Sequence, residues 1–339
     1  MTLPEQAYTQ FTDDLRICRL LNGMWQVSGG HGEIDRGAAL EAMMAYHDDG
    51  FTTWDLADHY GPAEDFIGEF RKRLAKAKGE AALGNVQAFT KWVPRPVRIS
   101  AGVVEKAVKT SMERMGVEQI DLMQFHWWEY RDSGYLSALN QLAFMVRKGV
   151  IKALGLTNFD TRHMRNLQDN GIWITSNQVQ FSIIDRRPEV QMIPFNEEND
   201  VKLLAYGTLA GGLLTDRYLD QPEPGRDQLT TASLRKYKGM IDQWGDWTLF
   251  QELLGVLRGV ADQYNVSIAN VATRYVLDKS TVAGVIVGAR LGVSDNREEN
   301  KRVFDFALTD DDLDKIHEVT DKANDLFKII GDCGAEYRR

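Results

Sequence analysis

The chain has little cysteine, no long hydrophobic run and no excess of positive charge. Cys18 and Cys333 are its only cysteines in 339 residues. Two thiols cannot build a disulfide framework or a four-cysteine metal site, and they fit a reducing compartment. No stretch approaches the ~20 apolar residues that span a bilayer. The opening residues, MTLPEQAYTQFTDD, contain no basic segment followed by an apolar run, so no secretory signal is read there. The expectation is a soluble, cytoplasmic protein without a membrane partner. Lys and Arg number 40 against 49 Asp and Glu, a formal charge of −9. That balance argues against a nucleic-acid partner, which needs a basic footprint. The run RKRLAKAK (71–78) reads instead as the solvated face of a helix. No HxxxH pair or Cys/His cluster occurs, so no metal site is expected. No GxGxxG occurs either, which removes the usual signature of a doubly wound dinucleotide-binding sheet. SGGHG (28–32) reads as a loop.

What the chain does have is ordinary globular composition, 43% hydrophobic and 26% charged. At ~100–200 residues per domain the length allows two domains or one large barrel. Eight short runs rich in β-branched, aromatic or Leu residues recur at 20–27, 51–57, 86–93, 120–128, 150–158, 177–184, 201–209 and 282–288. Helical periods lie between them. Residues 35–49 place Ala38, Ala42, Met43 and Tyr46 on one face. Ser100 caps a helix carrying Val103, Val104, Ala107 and Met112. Others run over 63–77, 136–148, 161–169 and 267–279. Strands alternating with helices predict an α/β fold, a (β/α)8 TIM barrel forming a single domain over 1–339. A long loop, 209–241, follows the seventh strand and would sit over the catalytic face. A C-terminal helix starts at Thr309, with Asp310, Asp311 and Asp312 in its first turn.

In such a barrel the chemistry sits at the C-terminal ends of the strands. Those ends carry Asp55, Asp58, His59 and Tyr60, then Lys91, His126, Thr157 with Asn158, Gln178, Tyr206, and Gly288 with Arg290. Taken singly, Asp55 reads as a helix cap, Lys91 as a surface residue and His126 as a core histidine. Taken together they make a general acid without metal or nucleophile. Asp55 and Lys91 can pair in an apolar site. A cation beside a phenol lowers its pKa from ~10. An imidazole nearby can donate to a carbonyl oxygen or orient it.

These residues carry a resemblance to the aldo-keto reductases. GFTTWDLADHYGPAEDFIG (50–68), TKW (90–92), MGVEQIDLMQFHW (115–127), RKGVIKALGLTNF (147–159) and GAR with EEN (288–290, 298–300) resemble family motifs in family order. The likeness runs over about 16–308. The form YGTLAGGLLT (206–215) resembles a microbial, fungal and algal branch, and Thr208 stands where much of the family has Pro. The resemblance implies an NADP(H)-dependent oxidoreductase acting on an aldehyde, ketone or sugar by hydride transfer. Tyr60 would be the proton donor, Lys91 would depress its pKa, Asp55 would pair with Lys91, and His126 would orient the substrate oxygen. Thr157, Asn158 and Gln178 would hold the nicotinamide and Tyr206 would stack on it, followed by Gly207 and Leu209. Gly288, Arg290, Asn296 and Asn300 would lie at the adenosine end, in a segment about two residues longer than usual.

Four tryptophans fall near strand ends, and Trp25, Trp92 and Trp127, with Trp128 beside them, are expected as pocket walls for a flat or apolar substrate. Trp244 and Trp247 suit a lid or an outer helix. His31, His47 and His163 read as surface residues. A second reading keeps the barrel but makes it a cofactor-binding regulatory or sensor subunit with incidental turnover. The intact Asp55, Tyr60, Lys91 and His126 set favours the enzyme. The sequence is silent on oligomeric state.

Overall fold

The computed structural model describes residues 3–29, 32, 34–95 and 99–338. His31 and part of the 28–32 loop lie outside the described residues. A hairpin comes first, β1 (Tyr8–Thr12) paired antiparallel with β2 (Leu15–Cys18). Eight strands then close into a barrel: β3 (Leu20–Gly23), β4 (Thr53–Asp55), β5 (Gln87–Trp92), β6 (Ile120–His126), β7 (Ile151–Thr157), β8 (Ser176–Gln180), β9 (Lys202–Tyr206) and β10 (Val282–Gly288). Each pairs parallel with its neighbour, and β10 closes on β3. Every barrel strand lies within, or one residue beyond, the run the apolar pattern predicts.

The helices are α1 (Arg36–Asp48), α2 (Ala63–Lys78), α3 (Ala101–Met115), α4 (Gly134–Arg147), α5 (Thr161–Asp169), α6 (Arg187–Val190) and α7 (Met192–Asn199). After β9 come α8 (Ala232–Trp244), α9 (Trp247–Tyr264), α10 (Ile268–Leu277), α11 (Arg297–Lys301), α12 (Asp310–Thr320) and α13 (Leu326–Ile330). Thr309 caps α12 in a capping box with Asp312, two orphan helix groups satisfied at once. On α3 the buried stripe is Val104, Val108, Ser111 and Met115, and Val103 is exposed. Ala107 and Met112 lie at the edge of that stripe, half-buried against the core, so the face is rotated slightly from the expected one.

The hairpin was not expected. It seals the N-terminal end of the barrel. Phe11, Leu15 and Ile17 pack with Leu21, Phe89, Leu122, Ala153, Leu204 and Ala283 into a separate inner core. The 209–241 connection is less open than expected, since its last third is the first part of α8. Trp247 Nε1 donates to Gln221 O at 2.9 Å and ties the loop to α9. Trp244 and Trp247 are therefore core residues of outer helices, not a lid. His47 packs on Phe70 with its side chain 9% exposed. His163 stacks 3.5 Å from the Tyr130 ring, so neither is a simple surface residue. Among the described residues no helix is long and apolar enough to cross a membrane.

Candidate active site

Alternation along parallel strands decides which side chains meet at the mouth. Asp55, Lys91, Gln124, His126 and Gln178 come from neighbouring strand ends and are all buried. Lys91 Nζ donates to Asp55 Oδ2 at 2.6 Å and to Leu56 O at 2.7 Å. The other Asp55 oxygen accepts from Gln178 Nε2 at 2.7 Å and Gln124 Nε2 at 3.2 Å. Both carboxylate oxygens are thus satisfied, which is the condition for keeping a buried ion pair. Gln124 was missed by the motif reading. Its signal was strand alternation, since it lies two residues before His126 on the same inward face.

Tyr60 follows β4 in a turn, with the Lys91 ammonium 4.9 Å from its ring centroid. The expected lowering of its pKa is not found. Burial, then the charge of Asp55, pushes the phenol well above its ordinary value. Burial is the larger cause, and the Asp55 charge, paired with Lys91 at 2.6 Å, works against the ammonium beside the ring. The result is an acid that stays protonated.

His126 is also corrected in detail. Its Nδ1 lies 3.0 Å from the Thr157 carbonyl, and a carbonyl can only accept, so Nδ1 carries the proton. Burial, then Arg338, lowers the imidazole to about 4. A neutral ring with its proton on Nδ1 presents a lone pair at Nε2. That atom is buried without a partner, so it accepts rather than donates.

The pocket walls divide. Trp25 is 38% exposed and meets Tyr60 edge-on at 4.9 Å. Trp128 is 41% exposed and meets His126 edge-on at 4.3 Å. These two frame the mouth. Trp92 and Trp127 do not. They follow the inward Lys91 and His126, so the pleat turns them outward, where both pack on Phe125. Trp127 Nε1 is held by the carbonyls of Glu129 and Asp132.

The groups assigned to a nicotinamide lie beside this set. Thr157 Oγ1 is buried without a partner. Asn158 sits in the left-handed region at φ 57, a conformation Asn tolerates. Asn177 fixes that turn by donating to Phe159 O at 2.8 Å. Tyr206 Oη donates to Asn158 Oδ1 at 2.8 Å. Gln178 turns its amide nitrogen toward Asp55, which leaves its oxygen as the end able to accept. Orphaned Thr157 and His126 atoms beside an Asn and a Gln fit a carboxamide and a carbonyl, so a nicotinamide suits the residues present. Gly207 has φ 73, and a Cβ there would meet Tyr237 Oη at 2.2 Å. It and Leu209 make the tight turn after β9, where Thr208 Oγ1 donates to Phe181 O at 3.0 Å.

At the far end, Gly288 lies under the Gln26 side chain, 2.2 Å from where a Cβ would stand. Gln26 was not anticipated there. Arg290 is exposed, Asn296 precedes α11, and Asn300 lies within it. Arg297 is engaged with Asp295 at 2.7 Å and with Asp49. Lower down, the Glu and Gly of the 50–68 motif do structural work. Glu64 accepts from Thr90 Oγ1 at 2.7 Å and pairs with Arg114. A Cβ on Gly68 would meet Arg114 O at 2.1 Å, so α2 packs against α3 only with glycine. Among the described residues no group of three or more His, Cys, Asp or Glu could hold a metal.

A closed parallel barrel carries Asp55, Tyr60, Lys91 and His126 together at its mouth. The family model for the Aldo/keto reductase family matches residues 19–321, and the chain belongs to that family. It is accordingly an oxidoreductase of a carbonyl-reducing, nicotinamide-using family. The NADH-specific methylglyoxal reductase of Escherichia coli is 24% identical over 91% of this chain and 97% of its own. A Bacillus subtilis aldo-keto reductase, YhdN, is 25% identical over 84% of this chain and 85% of its own. Among solved structures, a glycerol dehydrogenase from Gluconobacter oxydans superposes with a TM-score of 0.75 at 22% identity, covering 97% of this chain and 98% of that one.

Proposed function

We propose that the protein reduces an aldehyde or ketone with NADPH, Tyr60 serving as the general acid. The observation that carries this is the half-buried Tyr60 phenol, kept protonated beside the Asp55–Lys91 pair, at the same barrel mouth as the unpartnered Nε2 of His126. NADPH, when bound, supplies the hydride to the carbonyl carbon. Thr157, Asn158 and Gln178 hold the carboxamide end and Tyr206 offers its ring. Tyr60 gives its phenol proton to the carbonyl oxygen, and solvent returns one. His126 cannot donate to that oxygen from Nε2. It limits where the oxygen sits and accepts from the hydroxyl of the alcohol. Trp25 and Trp128 hold the carbon skeleton by apolar contact. The working compartment we infer is the cytoplasm, and the functional unit one domain over 1–339.

NADP(H) over NAD(H) rests on Arg290, an exposed guanidinium just after β10, suited to a bidentate grip on a 2′-phosphate. The regulatory-subunit reading is less well supported, because a binder has no need to keep a proton donor. The test is Tyr60→Phe, which removes one hydroxyl. It should lower turnover of the best carbonyl substrate ~10²–10⁴-fold, with the cofactor Kd from tryptophan quenching nearly unchanged. Full turnover in the Phe variant would remove Tyr60 from the mechanism.

A further inference from the structure

We propose that Lys236 and Tyr337 form an anion subsite beside the carbonyl site, so that the preferred substrate carries a carboxylate or phosphate a short chain away from its carbonyl. This rests on the carbonyl-reductase reading above. Lys236 lies on α8, and its Nζ stands 5.1, 5.1 and 4.7 Å from the ring centroids of Tyr206, Tyr237 and Tyr337. Its hydrogen bond goes to Tyr337 Oη at 2.5 Å. Tyr337 Oη is also 3.0 Å from Tyr206 Oη, and its ring lies 6.1 Å from the His126 ring.

The direction of this chain of hydrogen bonds follows from the donors. Tyr206 gives its only proton to Asn158 Oδ1. At the contact between the phenols Tyr337 must therefore be the donor, so it keeps its own proton. A phenol that keeps its proton brings no negative charge to Lys236. Glu336 acts on the lysine only from a distance. It is bonded to Arg187 at 2.8 Å, and Arg187 also grips Asp185 at 2.7 and 2.8 Å.

An ammonium has three N–H donors. Among the described residues Lys236 uses one, and makes no ion pair. A second cation stands nearby. Arg338 donates to the carbonyls of Asn158 at 2.5 Å and Trp127 at 2.8 Å, and its Nε is buried without a partner. Lys236 and Arg338 are both half-buried, and charged groups partly withdrawn from water are ordinarily paired. Here a chain of formal charge −9 places two cations beside the carbonyl site, and Glu336 acts on Lys236 only from a distance while bonded to Arg187. The partner this arrangement lacks is an anionic oxygen group, and the width of one phenol ring separates it from His126.

The test pairs acidic with neutral substrates: 4-oxobutanoate against butanal, and glyceraldehyde 3-phosphate against glyceraldehyde. In the wild type kcat/KM should favour the acidic member. Lys236→Met should lower that acidic-to-neutral ratio roughly ten- to hundred-fold, mainly through KM, and Lys236→Arg should retain most of it. Calorimetric titration with succinate and with inorganic phosphate reads the subsite without turnover, and the heat should vanish in Lys236→Met. If Lys236→Met does not fold, Lys236→Gln and Tyr337→Phe carry the same comparison. Equal kcat/KM for both members of each pair, or a ratio that Lys236 variants leave unmoved, overturns the proposal while leaving the reductase reading intact. Loss of NADPH affinity in Lys236→Met with an unchanged ratio assigns the cation to the cofactor diphosphate and also overturns it. A wild type that binds succinate through Lys236 yet reduces no carbonyl compound leaves the subsite standing and removes the reductase reading.

Discussion

At the floor of the barrel Phe11, Ile17 and Leu21 meet Phe89, Leu122 and Leu204, with no titratable side chain in the cluster. At the mouth, neighbouring strand ends carry Asp55, Lys91, Gln124, His126 and Gln178, nearly as buried. Burial is the same and its chemistry is opposite. At the floor each buried side chain contributes by area alone. At the mouth burial is tolerable only because each polar group has its partner, and the groups without one, His126 Nε2 and Thr157 Oγ1, mark where a ligand would act.

The sharpest way to separate the two ends is to damage each. Phe11→Ala should destabilise the protein by about 3–5 kcal/mol, transfer and cavity costs combined, with kcat of the folded fraction unchanged. Lys91→Met should destabilise by a similar ~3–5 kcal/mol, because Asp55 is left a buried unpaired charge. Unlike the floor variant, it should also lose turnover, since an uncompensated carboxylate beside Tyr60 raises the phenol further and weakens it as an acid. Urea unfolding and steady-state kinetics on the same preparations measure both. Equal loss of kcat in the two variants would break the contrast.

How much of this contrast the sequence carried differs between the ends. Mouth residues such as Asp55, Tyr60, Lys91 and His126 stand at fixed offsets from apolar runs, and a barrel has only one place to put strand ends, so they were legible. Tyr206, Asn158 and Thr157 followed by the same logic. The floor was not legible, because YTQFT and LRIC are short and Phe11 seals the barrel only through contacts far along the chain. Trp92 and Trp127 were misread for a simpler reason: a residue next to an inward side chain must point outward, and motif spacing does not count pleats. The Tyr60 and His126 protonation states required distances, since the partner that neutralises Lys91 and the carbonyl that fixes the imidazole tautomer come from other strands. The tail residues Glu336, Tyr337 and Arg338 approach the mouth from far along the chain, with no periodic pattern to announce them.

A second test uses pH, which titrates a group at the mouth and none in the apolar cluster at the floor. His126 is lowered from 6.5 to about 4 in the folded protein, so the unfolded chain takes up its proton first. Above pH 6.5 both states are neutral here and the group adds no pH dependence. As pH falls from 6.5 toward 4, folding is progressively disfavoured, by ~2.5 kcal/mol at pH 4.5. His126→Gln should remove that share. Urea unfolding at pH 7.5 and 4.5 for both proteins isolates it from His47 and His317, which are lowered too. An equal acid loss in both proteins would mean that His126 is not held neutral by the fold.

The smallest expected effect lies at the outer edge of the mouth, where charge meets water. Arg290 is exposed, so the grip proposed for it on a 2′-phosphate would be screened, unlike the buried Asp55–Lys91 contact. A charge-assisted hydrogen bond contributes ~1.5–3 kcal/mol, and exposure puts this one at the lower end. Arg290→Ala should therefore weaken NADPH binding roughly tenfold and raise the salt-insensitive fraction of what remains. NADH has no 2′-phosphate, so its Kd should barely move. Quenching of tryptophan fluorescence, titrated with both cofactors at two ionic strengths, reads all four constants. The neighbouring Arg297 cannot substitute, because Asp295 and Asp49 already hold it. If the wild type prefers NADH, or the variant loses both cofactors equally, the segment after β10 recognises something common to the two dinucleotides, and the polarity of the mouth ends at Thr157 rather than at Arg290.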